Sequence, residues 1–261
     1  MITTAPRRSG VAAAVAVLAI LIGGGAARTT AAPSAAAVQS SDTPAEVSPG
    51  GWASPTSAPA GTGRRKVLVI VDENHTQRQV RAGMPYLVSL QKTFGGTTHH
   101  TAAAHPSLPN YLLIAGGRTF GVTDDAAPRS HPIAGTSVFG AALARGRTAR
   151  TYNETMTRNC QLVSSGNYAV KHNPWAYFVG ERTACRTYDV PLTRLPTDIS
   201  SGHLPNVGMI TPNLCNDAHD CSLRTADAFL KAWVPRIMKG PDYTSGRLTI
   251  VVTFDEGVGS S

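Results

Sequence analysis

Residues 66–71 read Lys-Val-Leu-Val-Ile-Val, five apolar positions in a row and mostly β-branched. A run this short and unbroken predicts a strand buried on both faces of a parallel sheet. Residues 247–254, Arg-Leu-Thr-Ile-Val-Val-Thr-Phe, repeat the pattern. Residues 147–152 and 207–211 read as two shorter strands. Between these runs the apolar positions change to helical spacing. Leu87, Leu90 and Phe94 share one side of a helix over residues 84–94, and Phe229, Trp233 and Ile237 do so over 225–238. Residues 136–145 read as a further helix, and the apolar run 111–115, closed by Gly116-Gly117, as one that begins near Leu108. Strands alternating with helices predict an α/β fold, a mostly parallel sheet flanked by helices, with no internal repeat.

The polar residues fall where such a fold keeps its chemistry. The first buried run ends in Asp72-Glu73-Asn74-His75 and the last in Asp255-Glu256-Gly257. Ligands of open α/β sheets collect at the carboxyl ends of the strands. Glu73, Asn74, Asp255 and Glu256 would therefore meet at one edge, where like charges repel unless a cation lies between them. Either cluster alone reads equally as a solvated turn or a helix cap. Two, each after a buried run, favour a divalent metal ion of unassigned identity.

The N-terminal end reads differently. Arg7-Arg8 precede twelve small or aliphatic residues at 11–22, with small-residue cleavage options at Ala27, Ala32 and Ala37. That order predicts a secretory signal peptide over residues 1–37, exported by the Sec or Tat route. The apolar stretch is shorter than the ~20 residues a membrane span needs. Residues 38–63, rich in Ala, Ser, Pro and Gly, read as a disordered linker and 64–261 as the folded domain. The net charge is +8, and removing residues 1–37, with three arginines and no acid, leaves +5. That mild excess, with no basic run interleaved with aromatics, argues against nucleic acid as a partner. The four cysteines all lie in the exported part, and an even count in an oxidising compartment predicts two disulfides. Proximity alone pairs Cys160 with Cys185 and Cys215 with Cys221.

Ser107 stands between two prolines, with His105 before it and Asn110 after it. Serine is a favoured N-cap and proline a favoured first-turn residue, so Ser107 reads as a cap. The same place reads as a nucleophile, because a helix N-terminus favours an anion such as phosphate and a nearby cation would activate the hydroxyl. Asn110 would then donate to a phosphoryl oxygen.

Five motifs in order, Glu73-Asn74-His75, His105-Pro-Ser-Leu-Pro-Asn-Tyr111, Lys171-His-Asn-Pro174, Cys215-Asn-Asp-Ala-His-Asp-Cys221 and Thr253-Phe-Asp-Glu256, carry a resemblance. From residue 66 onward the chain resembles the bacterial phosphoesterase family of acid phosphatases and phosphatidylcholine-type phospholipases C, in the alkaline phosphatase superfamily. The resemblance implies an alkaline-phosphatase-like fold and a secreted, extracellular hydrolase acting on a small phosphate ester or a phospholipid headgroup through a phosphoserine. It implies Glu73, Asn74, Asp255 and Glu256 as metal ligands, Ser107 as nucleophile, Asn110 as phosphoryl-binding residue and His172 as leaving-group acid. Asp217, His219, Lys171 and His105 are additional candidates. His99 and His100 would line the site; His131 and His203 would be surface residues. Family members usually continue beyond the last acidic pair, whereas this chain ends five residues after Glu256, which reads as a C-terminal truncation with an uncovered sheet edge.

Two other readings compete. One is an exported, non-catalytic metal-binding protein. The other, a serine esterase of another kind, lacks the Gly-x-Ser-x-Gly elbow. For a phospholipase, residues 175–178 (Trp-Ala-Tyr-Phe) are the one apolar stretch that offers a lipid-facing rim, with core packing as the alternative.

Overall fold

A computed structural model describes residues 2–4 and 65–257. The apolar segment read as part of a leader and residues 38–63, read as a linker, lie outside the described residues. Among the described residues six strands form one sheet: β1 (Ile2–Thr4), β2 (Lys66–Asp72), β3 (Ala149–Asn153), β4 (Asp189–Pro191), β5 (Val207–Thr211) and β6 (Leu248–Phe254). Their order is β1-β6-β2-β5-β3-β4. The five strands from β6 to β4 all pair in parallel, and β1 is antiparallel to β6 at one edge. The edge expected to be bare is thus covered by Ile2–Thr4. These residues belong to the segment that the sequence reads as a leader.

Helices pack on both faces. They are α1 (Gln77–Gly83), α2 (Pro85–Phe94), α3 (Ser107–Gly116), α4 (Val138–Ala144), α5 (Arg182–Tyr188), α6 (Leu195–Ser200), α7 (Leu223–Lys239) and α8 (Pro241–Thr244). On one face Leu68, Ile70, Ile250 and Val252 of the sheet meet Leu87 and Leu90 of α2 and Phe229, Leu230 and Ile237 of α7. On the other, Val71 and Met209 meet Leu108, Tyr111 and Leu112 of α3, Phe139 of α4 and the 175–178 stretch. The alternation along β2 follows from the period of two in a strand.

The differences from the sequence reading have local causes. Met84 lies outside α2, at φ −124° and ψ 71°, because it precedes Pro85 and the proline ring disfavours a helical conformation before it. α1 has no buried residue and so no apolar period. Its sequence signal is the capping box of Thr76 and Gln79, in which the Thr76 side chain accepts from the Gln79 amide and the Gln79 side chain accepts from Thr76 N–H. α3 stops where Gly117 takes a left-handed φ of 74°, the usual glycine stop.

Candidate active site

β2 and β6 are adjacent and parallel, with Asp72 opposite Phe254. The residues after them therefore leave the sheet side by side. Asp255 N–H donates to Asp72 C=O at 3.0 Å, and Asp255 Oδ1 accepts from the amides of Asn74 (3.2 Å) and Glu256 (2.6 Å). Asn74 turns the chain at φ 49°, a left-handed conformation that asparagine tolerates. The loop after β5, closed by the Cys215–Cys221 disulfide, brings Asp217 to the same edge, where its C=O accepts from Glu73 N–H at 2.8 Å. The second bridge is Cys160–Cys185, so both pairs are those expected.

α3 aims its first turn into this edge. Ser107 is its first residue, Pro106 is the N-cap, and no side chain of the cap bonds the helix. Ser107 is therefore not the cap. Its hydroxyl donates to Glu73 Oε2 at 3.0 Å, with Glu256 Oε1 at 3.4 Å. The capping role falls to Asp125, whose Oδ1 accepts from Leu108 N–H at 2.9 Å. Asp125 Oδ2 accepts from Lys171 Nζ at 2.9 Å, which places an ammonium beside the helix N-terminus. Asn110 Nδ2 donates to Ala104 C=O at 2.7 Å and reaches Glu256 Oε2 at 3.5 Å. His105 Nδ1 pairs with the same Glu256 oxygen.

His172 ends a 3-10 turn, Val170–His172, and is 1 % exposed. Nε2 lies 3.3 Å from Glu73 Oε1 and Nδ1 3.3 Å from Asp217 Oδ2, close enough for charge contact but without hydrogen-bond geometry. Ligand atoms of Glu73, His172 and His219 all lie within 4.8 Å of one another. His219 is oriented by Nδ1 against Asp220 at 2.6 Å, and its Nε2 lies 3.3 Å from Lys171 Nζ.

The electrostatics have one dominant cause. Burial raises the carboxyls of Glu73, Asp217, Asp255 and Glu256, to about 7 for Asp217 and about 6 for Asp255. Neighbouring carboxylates add to this at Glu73 and Asp255. Burial pushes His172 well down, and the neighbouring Lys171 and His219 act in the same direction. Asn74 Oδ1, Asp217 Oδ2, Asp255 Oδ2 and both His172 nitrogens are buried without a hydrogen-bond partner among the described residues. Unbonded buried acceptors beside mutually repelling carboxylates fit a divalent cation, which would relieve both. The Asp72 carboxyl is also fully buried and has no hydrogen-bond partner among the described residues, but the strand alternation sends it to the opposite face with Leu68 and Ile70.

Of the candidates, Glu73 and Glu256 contact Ser107 directly; Asn110 and His105 reach Glu256, Asn74 binds Asp255, His172 and Asp217 contact Glu73, and His219 and Lys171 lie beside them. His99 and His100 do not join; both are exposed, and His99 turns to Thr98. His203 is exposed, whereas His131 is half-buried against Asp124. Trp175, Ala176, Tyr177 and Phe178 are 0 % exposed and form core, so they offer no lipid-facing rim. Tyr111 and Asp125 escaped the sequence reading as site residues. Tyr111 follows Ser107 by four positions and so shares its helix face, which was the available signal. Asp125 carried none, because its partners lie 17 and 46 positions away.

Residues 75–260 match the Phosphoesterase family. The chain is 32 % identical over 201 residues to a phosphatidylinositol-3-phosphatase of Mycobacterium tuberculosis, covering 75 % of this chain and 64 % of that protein. It is 30 % identical over 168 residues to a phosphate-repressible acid phosphatase of Penicillium chrysogenum, covering 61 % and 40 %. With a probable acid phosphatase of Kluyveromyces lactis it shares 28 % over 207 residues, 75 % and 48 %. The chain thus spans between 40 and 64 % of the length of these relatives.

Proposed function

The chain belongs to the Phosphoesterase family, and we propose that it is an exported, metal-dependent phosphatase that hydrolyses phosphate monoesters through Ser107. The observation that carries this reading is the Ser107 hydroxyl at the start of α3, 3.0 Å from Glu73 and 3.4 Å from Glu256. A monoesterase is favoured over a phospholipase because the one apolar rim candidate is core and the side chains around Ser107 are acids, amides, imidazoles and an ammonium. Relatives named as phosphatases point the same way. The two disulfides suit an oxidising, extracellular location, and among the described residues no helix is long and apolar enough to cross a membrane.

Glu73, His172 and His219 would hold the cation, with Asn74, Asp217, Asp255 and Glu256 close by. When bound, a divalent cation supplies positive charge to the phosphoryl group and to the attacking hydroxyl. Ser107 Oγ attacks phosphorus in line, and its proton goes toward the carboxylate it already faces. The ester P–O bond breaks as the Ser107–phosphorus bond forms. Asn110 donates to a phosphoryl oxygen, where added charge is best stabilised by a donor already in place. His172 is neutral and buried, so it is a donor atom to the cation rather than the acid. Lys171, held by Asp125 at the rim, supplies the proton to the departing alkoxide. Water then cleaves the phosphoserine, releasing phosphate and restoring the serine hydroxyl.

Hydrolysis of para-nitrophenyl phosphate and bis(para-nitrophenyl) phosphate tests the reading, with the protein metal-stripped and metal-restored, beside Ser107→Ala. We expect metal-dependent turnover of the monoester, and a kcat at least about 10³-fold lower in the variant, as for loss of a nucleophile. Turnover that survives in Ser107→Ala, or none in the folded, metal-restored protein, sinks it; the second outcome supports the non-catalytic metal-binding reading.

A further inference from the structure

Tyr111 is fully buried and touches two candidate donors at once. Its hydroxyl donates to Glu73 Oε1 at 2.5 Å. Its ring stacks on the His172 imidazole, with centroids 4.9 Å apart and planes 11° from parallel. Ser107, one helical turn earlier on α3, donates to the other oxygen of the same carboxylate at 3.0 Å. One helix face therefore fixes both oxygens of Glu73, and one of its residues also fixes the plane of His172.

We propose that Tyr111 is a positioning residue that sets the Glu73 carboxylate and the His172 ring in their metal-binding orientation. The inference rests on the metal reading above. Tyr111 has no exposed surface, so it touches no substrate. A carboxylate on one side of a buried cluster has two soft torsions and repels Asp255 and Asp217; without a fixed donor it turns away from them. The phenol prevents this. It occupies a lone pair of Oε1 and leaves the rest of that carboxylate directed toward His172 and Ser107. The stacked ring plays the matching part for His172. Both imidazole nitrogens lack hydrogen-bond partners among the described residues, so packing rather than hydrogen bonding holds the ring plane. Partners of this kind change metal affinity by about 10- to 100-fold when removed.

Tyr111→Phe keeps the stack and removes the hydrogen bond, and Tyr111→Leu removes both. The measurement is Co²⁺ binding to the metal-stripped full chain, by calorimetry and by the visible spectrum of the bound ion. Near-UV circular dichroism verifies folding, and Glu73→Ala is the non-binding control. We expect Tyr111→Phe to bind Co²⁺ roughly tenfold more weakly, with a shifted spectrum, and Tyr111→Leu more weakly still. In para-nitrophenyl phosphate turnover at saturating metal, Tyr111→Phe should lower kcat with KM nearly unchanged. Wild-type affinity and spectrum in folded Tyr111→Phe would overturn the inference and leave the metal reading intact. Absence of Co²⁺ binding by the wild type would overturn both. If Tyr111→Leu fails to fold, Tyr111→Phe still decides the case.

Discussion

Glu73 and Asp72 are neighbours with the same charge and the same burial, yet they face opposite sides of β2. Glu73 meets Ser107, Tyr111 and His172, while Asp72 meets none of them. A single-residue step in a strand decides this. At this scale the polar groups beside Ser107 are separable by substitution. Asn110→Ala removes the amide beside the hydroxyl, and we expect kcat to fall roughly 10²-fold, as when one preorganised donor to a developing oxyanion is lost. Steady-state kinetics on para-nitrophenyl phosphate measures it. The same assay on Lys171→Met tests the leaving-group role. Its defect should shrink with substrates whose alcohol is already acidic, since these need no proton to depart.

Two helices are capped by aspartates from elsewhere in the chain, and their comparison separates support from function. α2 begins at Pro85 after Met84, whose side chain cannot cap. Asp227 of α7 takes its place, accepting from Tyr86 N–H at 3.0 Å and Leu87 N–H at 2.9 Å. Asp125 does the same for α3 at Leu108. Either aspartate replaced by alanine should lower stability by about 1–2 kcal/mol, the usual cost of a lost cap, read by chemical denaturation. Only Asp125→Ala should also lower kcat, because α3 carries Ser107 and Asp125 holds Lys171. Asp227→Ala should leave the kcat of the folded protein unchanged. Equal kinetic defects in both variants would show that helix stability, not placement of the site, limits activity.

For the whole molecule, the buried carboxyls set a pH dependence. Asp217 titrates at about 7 and Asp255 at about 6 in the fold, both above the ordinary aspartate value. Through these carboxyls the folded protein binds protons more tightly than the unfolded chain between about pH 4 and pH 7, and the depressed imidazole of His172 opposes this in part. Where the folded state holds more protons, stability falls as pH rises. The metal-stripped protein should be most stable near pH 4–5 and lose several degrees of Tm by pH 7–8, in proportion to about 1 kcal/mol per few degrees. A divalent cation should restore much of the loss at pH 7–8 and little of it at pH 4–5, since it competes with the same protons. Thermal unfolding across pH, with and without metal, checks both signs.

The sequence by itself determined what depends on near neighbours. Four of the six strands among the described residues, the parallel character of the sheet and the acidic residues at the ends of β2 and β6 were legible, because a continuous apolar run and its polar stop are local patterns. Both cysteine pairings were legible by proximity, at separations of 25 and 6 residues. β4 and the edge strand β1 were not, since three residues carry too little period to read. Only the tertiary structure decided whether Ser107 caps a helix or faces Glu73. The same structure separated Asp72 from Glu73, buried residues 175–178 as core, and brought Tyr111, Asp125 and Asp227 to their partners. Those contacts join positions 17 to 141 residues apart, and no local pattern encodes them. They exist because the packed sheet and helices bring the groups together, and a buried polar group left without a partner destabilises the fold.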